Sequence, residues 1–338
     1  MKNNQITIGI VIPNKNDGKF LGECLESVFM QSSLPDEIIY IDDGSDDNSV
    51  EIAESYLNKI PISKIIKNIS SVGTMSALNQ GMMASNADYL LFLASNDSLA
   101  PGIIAEIRQN FLDLNVRPGV WSALVRLLDE ASVSRRIHYS PLVSFNVRYF
   151  TPKECIGLAN KLGNWFTGTT TFYNRKALQE IGGFDARLGG LGDLFAALQL
   201  ASIHGAIYCP KPYGYMRSHG EGLLIKTLKN SSQLDNLIET IFERGTQNAP
   251  ELFTGKFMGK TKERIKFASL REMIKAGKVD VPVSWSGLTA ELCTIFVGRV
   301  NKFLLLVLTY TLSRPFDLIW VIYYRARPII FEKLLSKI

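Results

Sequence analysis

The sequence predicts an open α/β fold: a doubly wound, mostly parallel sheet flanked by helices, with a helical C-terminal extension. Three observations carry this. Strand-like apolar runs alternate with helical stretches on short connections through the first hundred residues. The run Ile38-Ile39-Tyr40-Ile41 stops abruptly in Asp42-Asp43-Gly44-Ser45-Asp46-Asp47. Acidic, turn-forming residues there sit where open α/β sheets bind ligands, just beyond the carboxyl end of a strand. Finally, the alternation ceases after about Glu221 and a helical pattern takes over.

The elements follow in order. Ile6–Ile12 reads as the first strand and ends at Pro13-Asn14-Lys15-Asn16. Phe20, Leu21, Cys24, Leu25, Val28 and Phe29 then recur at helical spacing. A strand over Glu37–Ile41 and a helix over Asn48–Leu57 come next, then a short strand near Lys64–Ile66. A helix around Thr74–Ser85 leads into the strongly apolar Tyr89–Leu93. Ile103–Leu114 reads as a helix and Val120–Leu127 as a strand, and residues 150–220 mix both with glycine-rich turns. The expected organisation is an α/β domain over 1–225 and a helical region over 226–338.

Composition is that of a globular protein, with 46% hydrophobic and 20% charged residues. Cys24, Cys155, Cys209 and Cys293 form no metal or CxxC spacing and read as reduced thiols. The N-terminus runs straight into a strand, with no signal peptide expected. Net charge is +5, and residues 299–338 carry seven Lys/Arg against two acids, which accounts for all of it. The main body is therefore balanced, which argues against nucleic-acid binding.

Four segments taken in order resemble the family 2 glycosyltransferases, which have the GT-A fold. They are Ile10-Val11-Ile12-Pro13-Asn14-Lys15-Asn16 with the helix after it, and Asp42-Asp43-Gly44-Ser45-Asp46-Asp47-Asn48-Ser49. Next come Gly73, Ala77-Leu78-Asn79-Gln80-Gly81 and Asn96-Asp97 ahead of Pro101-Gly102. Last are Asn174-Arg175-Lys176-Ala177-Leu178, Ile181-Gly182-Gly183-Phe184-Asp185 and Gly192-Asp193. Together they cover about residues 6–220.

The resemblance implies a cleft for a nucleotide-diphosphate sugar donor. Pro13, Asn14, Asn16, Asp42, Asp43, Asn79, Asn96 and Trp165 would line it. Asp42 would accept from the base, and Asp43 would also support its loop. Asn79 would face the nucleotide from a helix, or be a surface Asn. Trp165 would stack on a sugar, or belong to the core. The family usually holds Mg²⁺ or Mn²⁺ on acidic residues after the fourth strand, where hard oxygen ligands offset the charge on the leaving diphosphate. Here Ala94 and Asn96 replace two of the usual acids, which leaves Asp97, Asn96 and His219 as the expected ligands. His219, in Arg217-Ser218-His219, reads alternatively as an exposed loop residue. The resemblance makes Asp193 the base that takes the acceptor's proton, although Gly192 stands where the family usually has Glu. A helix N-cap is the plainer role for Asp193. Gly255-Lys256-Phe257-Met258-Gly259-Lys260-Thr261 imitates a phosphate loop but is one residue short between its glycines.

Two apolar runs, Phe303–Leu312 and Leu318–Tyr324, are each too short to cross a bilayer. With Trp320, Tyr323, Tyr324 and the flanking Arg325, Arg327, Lys333 and Lys337 they suit helices on an anionic membrane surface, or packing on another subunit in a homo-oligomer. The combined expectation is an inverting transferase at the inner face of the cell membrane, acting on a saccharide or lipid-linked saccharide acceptor in surface-polysaccharide synthesis such as an O-antigen or capsule. Its rivals are a catalytically inactive nucleotide-sugar-binding or partner-binding relative, and a nucleotidyltransferase making activated sugars.

Overall fold

A computed structural model describes residues 6–275 except 59, 130, 139 and 218–221. Ten strands form a single sheet in the order β3-β2-β1-β4-β9-β6-β10-β5, with β7 beside β6 and β8 beside β10. The strands are β1 (Ile8–Asn14), β2 (Glu37–Asp42), β3 (Ser63–Lys67), β4 (Tyr89–Phe92), β5 (Ser98–Leu99), β6 (Val120–Leu128), β7 (Ser134–Ile137), β8 (Arg148–Phe150), β9 (Thr171–Asn174) and β10 (Ala206–Arg217). β1 pairs in parallel with β2 and β4, β2 with β3, and β6 with β10. Only β9 interrupts that core, running antiparallel between β4 and β6.

Alternation along the strands explains why both faces are covered. Ile8, Ile10 and Ile12 enter one apolar cluster together with helices α1 (Gly18–Phe29), α2 (Ser49–Leu57) and α4 (Ile103–Leu114). Val11, between them, points the other way, into a cluster shared with α3 (Thr74–Ala84), α5 (Pro152–Leu162), α6 (Arg175–Glu180) and α7 (Gly192–His204). A strand buried on both faces reads as an unbroken apolar run, and β1 does. The sequence-based segments up to Leu128 match these elements to within a residue or two at most ends.

Helices α8 (Leu223–Lys229), α9 (Leu234–Asn248) and α10 (Gly255–Lys275) continue the second cluster. Leu228, Leu237, Ile241, Phe253 and Phe257 lie in the same core as Val11 and Ile39. The helical stretch after residue 225 thus shares the sheet's core as far as it is described. The phosphate-loop imitation falls on the first two turns of α10, which no strand precedes. The runs Phe303–Leu312 and Leu318–Tyr324, the basic tail and Cys293 lie outside the described residues. Cys24, Cys155 and Cys209 are buried, unpaired thiols.

Register places the functional edge. Asn14 lies opposite Asp42, and Asp42 opposite Lys67, so β1, β2 and β3 end level with one another. β4 stops beside Val11, and the chain then turns through Ala94–Asp97 on the same edge. The carboxyl ends of four adjacent parallel strands therefore lie along one edge of the sheet.

Candidate active site

The loops after β1 and β2 are stitched together. Gly44 takes φ +70°, a backbone state that favours glycine, and turns the chain after Asp42 and Asp43. The buried Asp42 accepts the N–H of Ser45 at 3.0 Å. Ser45 Oγ in turn accepts from Asn14 Nδ2 (3.1 Å) and the N–H of Asn16 (3.0 Å). Asn16 sits at φ 58°, tolerated by Asn, and its side chain accepts the N–H of Asp46 at 2.7 Å. Pro13 lies beyond the last residue paired with β4, so its missing N–H costs little.

Asp43 is a hub for the next loop. Its carboxylate accepts from Asn68 Nδ2, Ser71 Oγ and the N–H groups of Val72 and Gly73, at 2.7–3.2 Å. Burial pushes its acidity down, but these four donors outweigh burial and hold its pKa below the ordinary carboxylate value. All its acceptor directions are committed to the chain, so Asp43 shapes the rim of the cleft.

The turn after β4 is anchored from behind. Asp97, only 6% exposed, accepts from Thr169 Oγ1 at 2.6 Å and from the N–H of Arg217 at 2.9 Å. Burial raises its pKa to about 6, and those two donors restrain the rise. The Arg217 guanidinium, its side chain 1% exposed, donates to Asn96 O, Asp129 O, Glu23 Oε2 and Ser132 Oγ at 2.8–3.1 Å. It also lies 4.2 Å from the Phe20 ring centre. One side chain thus fastens this turn to α1 and to the β6–β7 hairpin. Ser95 adds a bond to Asp17 at 3.0 Å, tying the turn to the loop after β1.

Asp193 arrives from the other side, in the first turn of α7. The helix is capped at Leu191 with no side-chain cap, so Asp193 is not the N-cap. Its Oδ1 accepts the N–H of Leu194 at 2.8 Å, and its carbonyl accepts from Tyr173 Oη at 3.1 Å. The residue is half-buried, yet enough protein surrounds the carboxyl for desolvation to raise its pKa to about 6, against the pull of local N–H groups. A Cβ on Gly168 would stand 2.7 Å from Asp193 Oδ2. Gly168 and Thr169 are consecutive in one 3-10 turn, Gly168–Thr170. That turn borders Asp193 with one residue and bonds Asp97 with the next, so it links the two segments that carry these acids.

Other expected residues are placed differently. Trp165 is 2% exposed inside the second apolar cluster, against Phe166 at 4.5 Å between ring centres. An enclosed ring cannot stack on a sugar, so the core reading replaces the sugar reading. Its indole N–H finds no acceptor among the described residues. Asn79 donates to Phe184 O (2.8 Å) and accepts Phe184 N–H (2.9 Å). Both ends of its amide are spent on the Gly183–Phe184 turn. His219 lies outside the described residues. Gly192 has no room for the usual Glu as packed: a Cβ there would sit 2.8 Å from Met75 Sδ.

Gly168, Thr169, Asp17 and Glu23 were not singled out from the sequence. A hydroxyl chain also went unseen: His138 Nδ1 meets Ser140 Oγ at 2.9 Å, and Ser140 meets Thr167 Oγ1 at 2.9 Å, beside Gly168.

The donor set at the Ala94–Asp97 turn does not fit a divalent ion well. Ala94 offers a methyl group and Asn96 a neutral amide. Each oxygen of Asp97 already accepts a hydrogen bond. Among the described residues no group of three or more His, Cys, Asp or Glu side chains could hold a metal.

A sequence model of glycosyl transferase family 2 matches residues 9–182, just over half of the chain. The chain belongs to that family. The glycosyltransferase GlyG of Streptococcus pneumoniae is 31% identical over 102 residues, 30% of this chain and 34% of GlyG. The uncharacterized glycosyltransferase EpsJ of Bacillus subtilis is 32% identical over 111 residues, 32% of each chain. The chain thus aligns with about a third of the length of these curated relatives. Among solved structures, residues 1–349 of Staphylococcus aureus TarS with UDP-GlcNAc superpose with a TM-score of 0.57 at 15% identity, covering 97% of this chain and 92% of that one. The mannosyltransferase PcManGT of Pyrobaculum calidifontis, with GDP-Man and Mn²⁺, gives 0.54 at 14% identity over 97% and 86%. Both establish a shared GT-A fold for this family 2 chain.

Proposed function

We propose that this chain is an inverting glycosyltransferase that moves a sugar from a nucleotide-diphosphate sugar to a saccharide acceptor. One observation carries the reading. The Gly168–Thr170 turn touches Asp97 and Asp193 with consecutive residues, on the edge where Asp42 ends β2. Asp42, with Pro13, Asn14 and Asn16 about it, takes the base. Asp43 and Asn79 hold the rim and the Gly183–Phe184 turn. The donor class is supported by the nucleotide-sugars bound to TarS and PcManGT.

The chemistry is one in-line displacement. The acceptor hydroxyl attacks the anomeric carbon, Asp193 takes its proton, and the bond to the diphosphate breaks with its electron pair leaving on oxygen. A carboxyl poised near 6 is mostly ionised at neutral pH and still basic enough for this work. The anomeric configuration inverts. No step is routed through a metal, because the described residues do not supply its ligands.

The acceptor proposed is a lipid-linked saccharide at the inner face of the cell membrane, in glycoconjugate synthesis. The basic, aromatic residues 299–338 support it. Among the described residues no helix is long and apolar enough to cross a membrane. Sedimentation with anionic vesicles, with and without residues 299–338, tests that contact.

A nucleotide-sugar-binding relative without turnover is the second reading, favoured by Ala94, Asn96 and Gly192. A donor panel read by release of nucleoside diphosphate, run on wild type and Asp193→Asn, separates the two. The substitution should cost at least about a hundredfold in turnover, the low end of general-base catalysis. Unchanged turnover in a folded variant removes Asp193 from the mechanism. Binding without turnover on every donor favours the relative.

A further inference from the structure

Resting on the donor reading above, the Ala94–Asp97 turn departs from its family in a way that has chemical consequences. A hard divalent ion binds through oxygen ligands, and carboxylates supply the charge that offsets its desolvation. At this turn stand Ala94 and Asn96, neither of which carries a charge. The remaining acid, Asp97, faces inward rather than towards the cleft: it is 6% exposed, with Thr169 on one oxygen and the Arg217 N–H on the other. Turning it outward would strip both bonds and leave Thr169 Oγ1 and a backbone N–H buried without acceptors, at about 1–3 kcal/mol each.

A cation already sits behind the turn. The Arg217 guanidinium donates to Asn96 O at 3.1 Å and is locked by Glu23, Asp129 and Ser132. The carboxylates near the turn are already engaged: Glu23 pairs with Arg217 at 2.8 Å, Asp17 accepts from Ser95 and Asp97 is bonded on both oxygens, so a divalent ion on Asn96 would find none of them unpartnered. The lack of charge at Ala94 and Asn96 and the guanidinium lock act in the same direction.

We propose that the Ala94–Asp97 turn has given up cation binding, being closed by Thr169, Arg217 and the neutral Asn96, and that the donor's diphosphate is held without a resident divalent ion.

The test uses the full chain. Free Mn²⁺ is counted by electron paramagnetic resonance during titration with protein alone. Affinities for UDP and GDP are then measured by calorimetry in Mn²⁺ and in EDTA. Wild type should leave Mn²⁺ free, and each nucleotide's affinity should agree within about threefold between the two conditions. Asn96→Asp restores a carboxylate at the mouth of the turn. It should tighten the nucleotide at least about tenfold when Mn²⁺ replaces EDTA.

One Mn²⁺ bound per wild-type chain, or a tenfold tightening of nucleotide by Mn²⁺ in wild type, overturns the proposal. So does an Asn96→Asp variant with wild-type circular dichroism that ignores Mn²⁺, because lost charge would then not be the cause. Should neither nucleotide bind wild type in either condition, the donor reading fails instead. The titration with Mn²⁺ alone then decides the cation claim by itself: it stands if the ion stays free and falls if the ion binds.

Discussion

Gly168→Ala probes the placement of Asp193 with one methyl group. The new Cβ would lie 2.7 Å from Asp193 Oδ2, where ordinary contact begins at 3.4 Å, so the carboxylate must retreat by about 0.7 Å. Gly168 does not have a positive φ, so alanine brings no backbone strain of its own. Misplacing a reacting group by about 1 Å costs up to about a hundredfold, so a tenfold to hundredfold fall in kcat is expected. The clash is with the end of a flexible, half-buried side chain, which yields at little cost, and a stiffer unfolded chain offsets about 0.4–1 kcal/mol. The variant should therefore melt close to wild type while turnover collapses. Gly157→Ala is the control: it lies exposed within α5 with nothing near its would-be Cβ, and should stabilise by up to about 1 kcal/mol with turnover unchanged. The assay pairs release of nucleoside diphosphate under donor saturation with thermal melting. Wild-type kcat in Gly168→Ala, with wild-type melting, would refute the placement of Asp193 beside this turn.

Four further outcomes follow from the same geometry. Because Asp193 must be ionised to act, kcat/KM should fall below about pH 6 rather than about 4, read from a pH–rate profile. Its raised pKa means the fold favours the neutral form, a contribution fully present below the ordinary carboxylate range and lost as pH rises through about 6. Asp193→Asn should thus be the more stable protein at pH 8, by on the order of 1–2 kcal/mol after discounting for solvent, with the gap closing towards pH 4 in urea titrations. Asp43→Asn turns an amide against the N–H groups of Val72 and Gly73 and should cost about 1–3 kcal/mol. Since the pKa of Asp43 is depressed, that cost should shrink as pH falls below the ordinary carboxylate range, which urea titrations at several pH values check. Arg217→Met leaves two carbonyls without their donor, while the part-exposed Glu23 turns to water, and should lower stability by about 1–3 kcal/mol in urea unfolding.

Much of the nucleotide half was legible because it is local. The unbroken apolar run Ile8–Ile12, the helical spacing of Leu21, Cys24, Leu25 and Val28, and the break at Asp42 each lie within a dozen residues. Level strand ends then follow from parallel pairing. What was hidden depends on distance along the chain. Arg217 meets Glu23 across 194 positions and Asp129 across 88, and no periodicity records such partners. Trp165 and a sugar-stacking tryptophan look alike as letters; only the residues enclosing the ring tell them apart. Asn79 is similar, since an amide on a helix can serve a ligand or a neighbouring turn, and Phe184 lies 105 positions away. Gly168 matters for the atoms it lacks, which a sequence shows only once its neighbour is known.

The approach to α7 has a consequence for how this scaffold can be altered. Gly190 donates its N–H to Thr227 at 3.0 Å, and a Cβ on it would meet the backbone of Leu224 at 2.4 Å. Two stretches of main chain lie against each other there with no side chain between them, two residues before Gly192 and three before Asp193. Moving α8 would shift the backbone that leads into α7 and, with it, the Asp193 carboxylate proposed as the base. Diversification at this end of the molecule is therefore confined to changes that leave the seam between residues 190 and 224 intact.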